Sequence, residues 1–203
     1  MRKGLLAVSV VAALFSSVVA LAEEDLNAIF KKVNDFVAAK NYSKALEELG
    51  WARKAIEKLH SNKLHDFFPD ELNGYRGEKI ESSAALGFTN IERTYRKGSS
   101  EVKISLVGGS GGGPADGLGG LAALGKMAAM MGGQPGMDTM RIQGRTATLT
   151  EGDMDAGSDL TVFLDSGSML KIEALAGASS SNLKEFADAL KINDLDTYLR
   201  GMS

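Results

Sequence analysis

The sequence predicts an α+β fold, because the apolar residues change their spacing once along the chain and a helical pattern returns at the end. Residues 26–59 repeat apolar side chains at helical spacing, residues 90–174 largely alternate apolar and polar side chains, and residues 182–190 are helical again. Short turns between the alternating segments favour antiparallel strands. We therefore expect an N-terminal helical hairpin packed on an antiparallel sheet, with a C-terminal helix and a Gly/Met-rich insertion.

Residues 1–22 have the order of a secretory signal peptide. A basic start, Met1-Arg2-Lys3, precedes an uncharged apolar run, and Ala20-Leu21-Ala22 supplies the small residues of a cleavage site. Cleavage after Ala22 removes two cations and no acid, so the formal net charge moves from −3 to −5. The pattern predicts a periplasmic protein without a transmembrane span after cleavage, because no long apolar run remains.

Charge and composition exclude several partners and chemistries. An acidic chain lacks the basic face that a nucleic acid requires. The absence of cysteine excludes a thiol nucleophile and a redox pair, although an exported chain of this length can be held together by packing alone. The expected organisation is a signal peptide at 1–22, a helical hairpin at 23–66, and a sheet-and-helix domain at 67–203 with a flexible insertion at 108–136.

Two apolar stripes predict the helical hairpin, and residues 39–42 separate them. Acidic residues at 23–25 favour a helix start through capping and the helix dipole. We expect the stripes to face each other and to bury Phe30, Val33, Leu46 and Leu49. The first stripe consists of Leu26, Ile29, Phe30, Val33, Phe36 and Val37, and the second of Ala45, Leu46, Leu49, Ala52, Ile56 and Leu59.

Pro69 disfavours helix at Phe68, and strand patterns follow it. A first hairpin is predicted by alternation at 90–95 and 102–106 around the turn Lys97-Gly98-Ser99-Ser100. Further strands are predicted by alternation at Arg145–Leu149, at Leu160–Leu164 and at Leu170–Ala174, and a weak strand near 78–83. The closing helix is expected from Asn182 to Leu190, with Asn182 as its N-cap and Glu185 three residues later.

Residues 108–136 interrupt the strands and contain 12 of the 24 glycines. Apolar side chains in so glycine-rich a segment are unusual for a solvated linker, so we interpret them as a binding surface for an apolar ligand or an envelope partner. An alternative is copper binding by the methionines between 127 and 140, because thioethers favour Cu(I). The candidate binding residues are Leu118, Leu121, Leu124, Met127, Met130 and Met131.

Several motifs fit catalytic or metal chemistry incompletely. Gly120–Lys126 matches a phosphate-binding loop up to the position of the Mg²⁺-binding hydroxyl, where Met127 stands. Asp153–Asp159 resembles a calcium loop with its glycine misplaced. His60 and His65 lie on different helix faces and lack a third histidine or a cysteine. We therefore expect no enzyme activity, no catalytic residues, no metal and no cofactor.

Four short segments resemble a group of uncharacterised secreted proteobacterial proteins. They are spread over most of the mature chain. The resemblance implies a periplasmic location and assigns no activity. The segments are Ala45–Leu49, Phe68-Pro69 with Gly74-Tyr75, Arg93–Gly98 and Ile142–Ala147.

Overall fold

A computed structural model describes residues 26–85, 88–109, 127, 136–152 and 157–201. The chain divides into two compact units, Met1–Lys63 and Leu64–Ser203, and each is described by itself. The predicted signal peptide, most of the Gly/Met-rich insertion and the core of the calcium-like loop lie outside the described residues.

The described part of the first unit contains two helices. Helix α1 spans residues 26–38 and helix α2 spans Tyr42–His65, the last two residues of which belong to the second unit. Residues 39–41 form a tight link, in which Lys40 has a positive φ of 56°. Asn41 begins α2, since its carbonyl accepts from the amide of Ala45 at 3.1 Å and its side-chain oxygen from the amide of Lys44 at 3.4 Å.

The second unit contains one antiparallel sheet of nine strands, which confirms the predicted α+β class. Its order is β1-β2-β4-β5-β9-β8-β7-β6, and β3 pairs with β4 on the same side as β2. The strands are β1 Glu71–Leu72, β2 Tyr75–Gly77, β3 Glu81–Ala85, β4 Phe88–Lys97, β5 Ser100–Gly109, β6 Met137–Ile142, β7 Arg145–Thr150, β8 Asp159–Phe163 and β9 Met169–Ala174.

Alternation along the strands gives the sheet an apolar face and a polar face. On the polar face, Glu173 accepts from Lys103 at 2.8 Å and from Lys171 at 3.0 Å. Burial raises the pKa of Glu173, but these hydrogen bonds outweigh it and hold the pKa below its ordinary value. Apolar-face residues that are buried at 2 % exposure or less include Ile91, Tyr95, Val102, Ile104, Leu106, Leu160, Leu170 and Ile172.

Two C-terminal helices cover the apolar face, α3 at Ser180–Ala189 and α4 at Ile192–Leu199. The ring of Phe186 packs edge-on against Tyr75, with centroids 4.9 Å apart, and against Tyr95 at 5.7 Å. The predicted N-cap at Asn182 is wrong, because α3 begins one turn earlier. Ser179 is the cap residue, and its amide donates to the side-chain oxygen of Asn182 at 3.0 Å.

Candidate interaction face on the helical hairpin

The two helices of the first unit run antiparallel. The ammonium group of Lys32 lies 3.9 Å from the carboxylate of Glu48, and that of Lys44 lies 5.5 Å from the ring centroid of Phe36. Residues later in α1 therefore lie beside residues earlier in α2. In this register the middle of α1 packs beside the first half of α2.

Small side chains form the buried seam of this hairpin. In the described part of the first unit, the fully buried apolar residues are Val33, Ala45 and Ala52. Ala45 and Ala52 lie two turns apart on one side of α2, so they let the helix axes approach closely. A seam this small buries little apolar surface, and helices of these lengths need tertiary burial to be stable in water.

Large apolar side chains of the same helices are exposed. Their exposed fractions run from 39 % for Phe30 to 69 % for Leu46. We define the hairpin face by these six residues: Phe30, Val37, Tyr42, Leu46, Leu49 and Ile56. An exposed apolar group of this size on a helix pair is typical of an interaction surface.

Helix rotation places the six residues on one side of the hairpin. Each residue lies about 100° around the axis from the preceding one. By this rotation Lys32 and Glu48 lie on one flank of the seam, and their ion pair marks that side. The exposed apolar residues lie on or toward the other flank of each helix. Since the helices are antiparallel, these two flanks meet on the opposite side and form one continuous surface.

The hairpin face is close to electrically neutral. The charged residues on the same side of the hairpin are one cation and one anion, Arg53 and Glu57, whose side chains pair at 2.8 Å. Burial lowers the pKa of His60, which keeps this neighbouring imidazole uncharged at pH 7. A neutral apolar surface favours an apolar partner over a highly charged one.

Gly50 leaves an opening beside the hairpin face. A Cβ atom built at this position would meet nothing within 4 Å. Glycine in the middle of a helix costs about 1 kcal/mol relative to alanine. No contact within the described chain requires that glycine, so the space is available to a partner.

Trp51 provides an internal reference on the same helix. Its side chain is 55 % exposed, but it lies about half a turn away from the hairpin face. The ammonium group of Lys54 lies 4.7 Å from its ring centroid. Trp51 is therefore a single exposed apolar side chain that does not belong to the hairpin face.

The burial predicted for the two stripes is confirmed for Val33 and wrong for Phe30, Leu46 and Leu49. On α2 the alanines and the leucines occupy different parts of one wide apolar arc, and the alanines take the seam. A signal was present in the sequence: an arc of about 140° is wider than one neighbouring helix can cover. The separation of small from large residues within that arc indicates the exposed part.

The candidate binding residues of the insertion fall mostly outside the described residues. This holds for Leu118, Leu121, Leu124, Met130 and Met131. Met127 is described, and its helical side chain is 60 % exposed.

Strand geometry bears on the second methionine pair. Met137 and Met140 lie three residues apart in β6, where they pair with Thr150 and Ala147. Side chains three apart on a strand point to opposite faces of the sheet. Met140 packs against the apolar core. These two thioethers therefore do not converge on one ion.

A buried ion pair in the second unit is structural in character. The carboxylate of Asp196 accepts from the guanidinium of Arg145 at 2.7 and 2.9 Å and from the amide of Ser166 at 2.9 Å. Burial raises the pKa of Asp196, but these donors outweigh it and hold the pKa below its ordinary value. Arg145 also donates to Asn193, so the network ties α4 to β7 and to the turn after β8.

Small-molecule and metal sites find little support in the described residues. A crevice lined by Phe67, Leu170 and Leu195, among others, encloses about 10 Å³, which is room for about one water molecule. Small-molecule sites usually have roughly 300–1,000 Å³. Among the described residues, no group of three or more histidines or carboxylates could hold a metal ion.

No protein-family model, curated protein or solved structure matches the chain. None of the described helices combines the length and apolar character needed to cross a membrane.

Proposed function

We propose that this chain is a non-enzymatic, exported binding protein, and that it docks a protein partner through the hairpin face. The observation that carries the proposal is the exposure of six large apolar side chains on one side of a helix pair whose seam is built from small ones. A partner with an apolar helical surface fits, because ridges on its helices can pack between the exposed side chains. The shallow surface favours a protein over a small apolar ligand, which needs a concave site.

Site-specific photo-crosslinking in the native compartment tests this proposal. A photoreactive phenylalanine replaces Leu46 in one variant and Trp51 in the matched control, since both side chains are exposed on α2 but only Leu46 lies on the hairpin face. We expect one discrete adduct from position 46, weakened by Phe30→Gln, and none from position 51. Equal adduct yields at the two positions, or no adduct at either, would contradict the docking role.

Export is the second part of the proposal, and the residue pattern of 1–22 supports it. N-terminal sequencing of the protein from the periplasmic fraction should begin at Glu23. An intact Met1 on protein recovered from the cytoplasm would overturn it.

A further inference from the structure

We infer that the partner of the hairpin face is a second copy of this chain, so that two hairpins form a four-helix bundle. This inference rests on the proposed function and identifies its partner. Two antiparallel helices with an exposed apolar side are one half of such a bundle. A two-fold axis would bring the same face of each copy together.

The area of the face agrees with a stable homodimer. Six large apolar side chains, each about half exposed, present on the order of 500 Å² of apolar surface per copy. A standard interface buries about 800 Å² per partner and is about 60 % apolar, which is also on the order of 500 Å². Each copy therefore supplies the apolar part of a standard interface without any contribution from the sheet unit.

The charges of the face permit self-association. A strongly charged surface repels its own copy, whatever its apolar content. Here Arg53 and Glu57 neutralise each other at 2.8 Å, and the adjacent exposed positions on α1, Asn27 and Asn34, are uncharged.

The small seam also favours a partner that is always present. Val33, Ala45 and Ala52 bury little apolar surface, so a permanent cover stabilises the hairpin. A second copy is available wherever the chain is made, at matched stoichiometry. Association with it adds to the stability of the folded chain.

Sedimentation equilibrium of the full mature chain tests the inference, with the double variant Leu46→Gln/Leu49→Gln and the control Trp51→Gln. We expect a dimer for the parent and the control. The double variant should raise the dissociation constant at least about a hundredfold, because interface centres carry most of the binding energy. Phe30→Gln changes the same face from α1, so an effect on dimerisation should appear there as well, with the helical circular dichroism retained.

Three outcomes would overturn the second copy as partner. They are a monomeric parent at concentrations up to about 100 µM, a dimer that all three variants leave intact, and a dimer that Trp51→Gln weakens as strongly as the double variant. The crosslinked adduct at position 46 shows whether only self-association is wrong or whether the docking role is wrong as well. An adduct between two copies supports both, and an adduct with a different protein sustains docking and removes self-association. Absence of any adduct removes both.

Discussion

The two units of this chain use amphipathic helices in opposite ways. In the sheet unit, α3 and α4 bury their large apolar residues, and Leu183, Phe186 and Ile192 are at most 1 % exposed. In the hairpin unit, α1 buries Val33 and exposes Phe30, and α2 buries alanines and exposes leucines. Helical periodicity therefore predicts that the apolar side of a helix will be covered, but it does not predict whether the same chain or another molecule covers it.

The comparison also separates two roles for polar groups. The sheet unit encloses an ion pair, Arg145 with Asp196, whose exposed side-chain fractions are 8 % and 0 %. The ion pairs within the hairpin lie at its surface, as Lys31–Asp35 and Arg53–Glu57 do. Exposed pairs contribute about 0.2–1 kcal/mol, whereas removal of one partner from a buried pair costs several times as much. Substitutions should therefore act very differently in the two units.

The largest effect is expected for Asp196→Asn. This change keeps the size of the side chain but leaves the buried guanidinium of Arg145 without its counter-charge, so we expect a loss of about 3–5 kcal/mol in the free energy of unfolding. Asp194→Asn is the matched control, because it makes the same change on the exposed side of the same helix. It should cost less than about 1 kcal/mol. Urea denaturation followed by circular dichroism measures both, and similar losses would show that the buried pair adds nothing.

Two leucine truncations compare a buried side chain with an exposed one. Leu183→Ala removes a side chain that is 0 % exposed, and we expect a loss of about 2–5 kcal/mol. Leu46→Ala removes one that is 69 % exposed, and for the monomer we expect a change within about 0.5 kcal/mol. Both are measured by urea denaturation at the lowest workable protein concentration. A loss at Leu46 as large as that at Leu183 would place Leu46 in a core.

Periodicity predicted the α+β class, because long segments such as β4, β5 and α3 carry their pattern over several residues. It missed β1 and β2, which are only two and three residues long and show no period. It also missed β6, since Met137-Asp-Thr-Met-Arg-Ile142 does not alternate. The N-cap of α3 was misplaced because Ser179 and Asn182 both begin a capping pattern, and the local sequence does not choose between them.

The candidate site was harder to predict than the fold. A stripe such as Leu46 and Leu49 shows that a helix side avoids water, but the neighbour that covers it depends on contacts distant in sequence or on another molecule. The residues of the described chain expose that side, and the small residues Ala45 and Ala52 occupy the seam in its place. The insertion, where binding was expected, lies almost wholly outside the described residues.

The acid sensitivity of the sheet unit follows from Asp196. Its pKa in the folded state lies below the ordinary value of 3.8 because donors from Arg145 and Ser166 favour the carboxylate. The stabilisation is complete above about pH 4 and is lost as the pH falls through the lower folded pKa. The free energy of unfolding should therefore decrease as the pH falls below about 4, with a shallower slope in Asp196→Asn. An unchanged slope in that variant would assign the acid sensitivity to other groups.

Substitutions at two glycines should change the stability of the chain with opposite signs in the two units. A Cβ at Gly77 would lie 2.3 Å from Nε of Arg93, which is buried and donates to the carbonyl of Phe68 at 2.6 Å, so Gly77→Ala should destabilise the chain by about 1–3 kcal/mol. A Cβ at Gly50 meets open space within a helix, so Gly50→Ala should stabilise it by about 0.5–1 kcal/mol. Thermal denaturation of the two variants compares them. A destabilised Gly50→Ala would contradict this prediction, because it would mean that another group packs against Gly50.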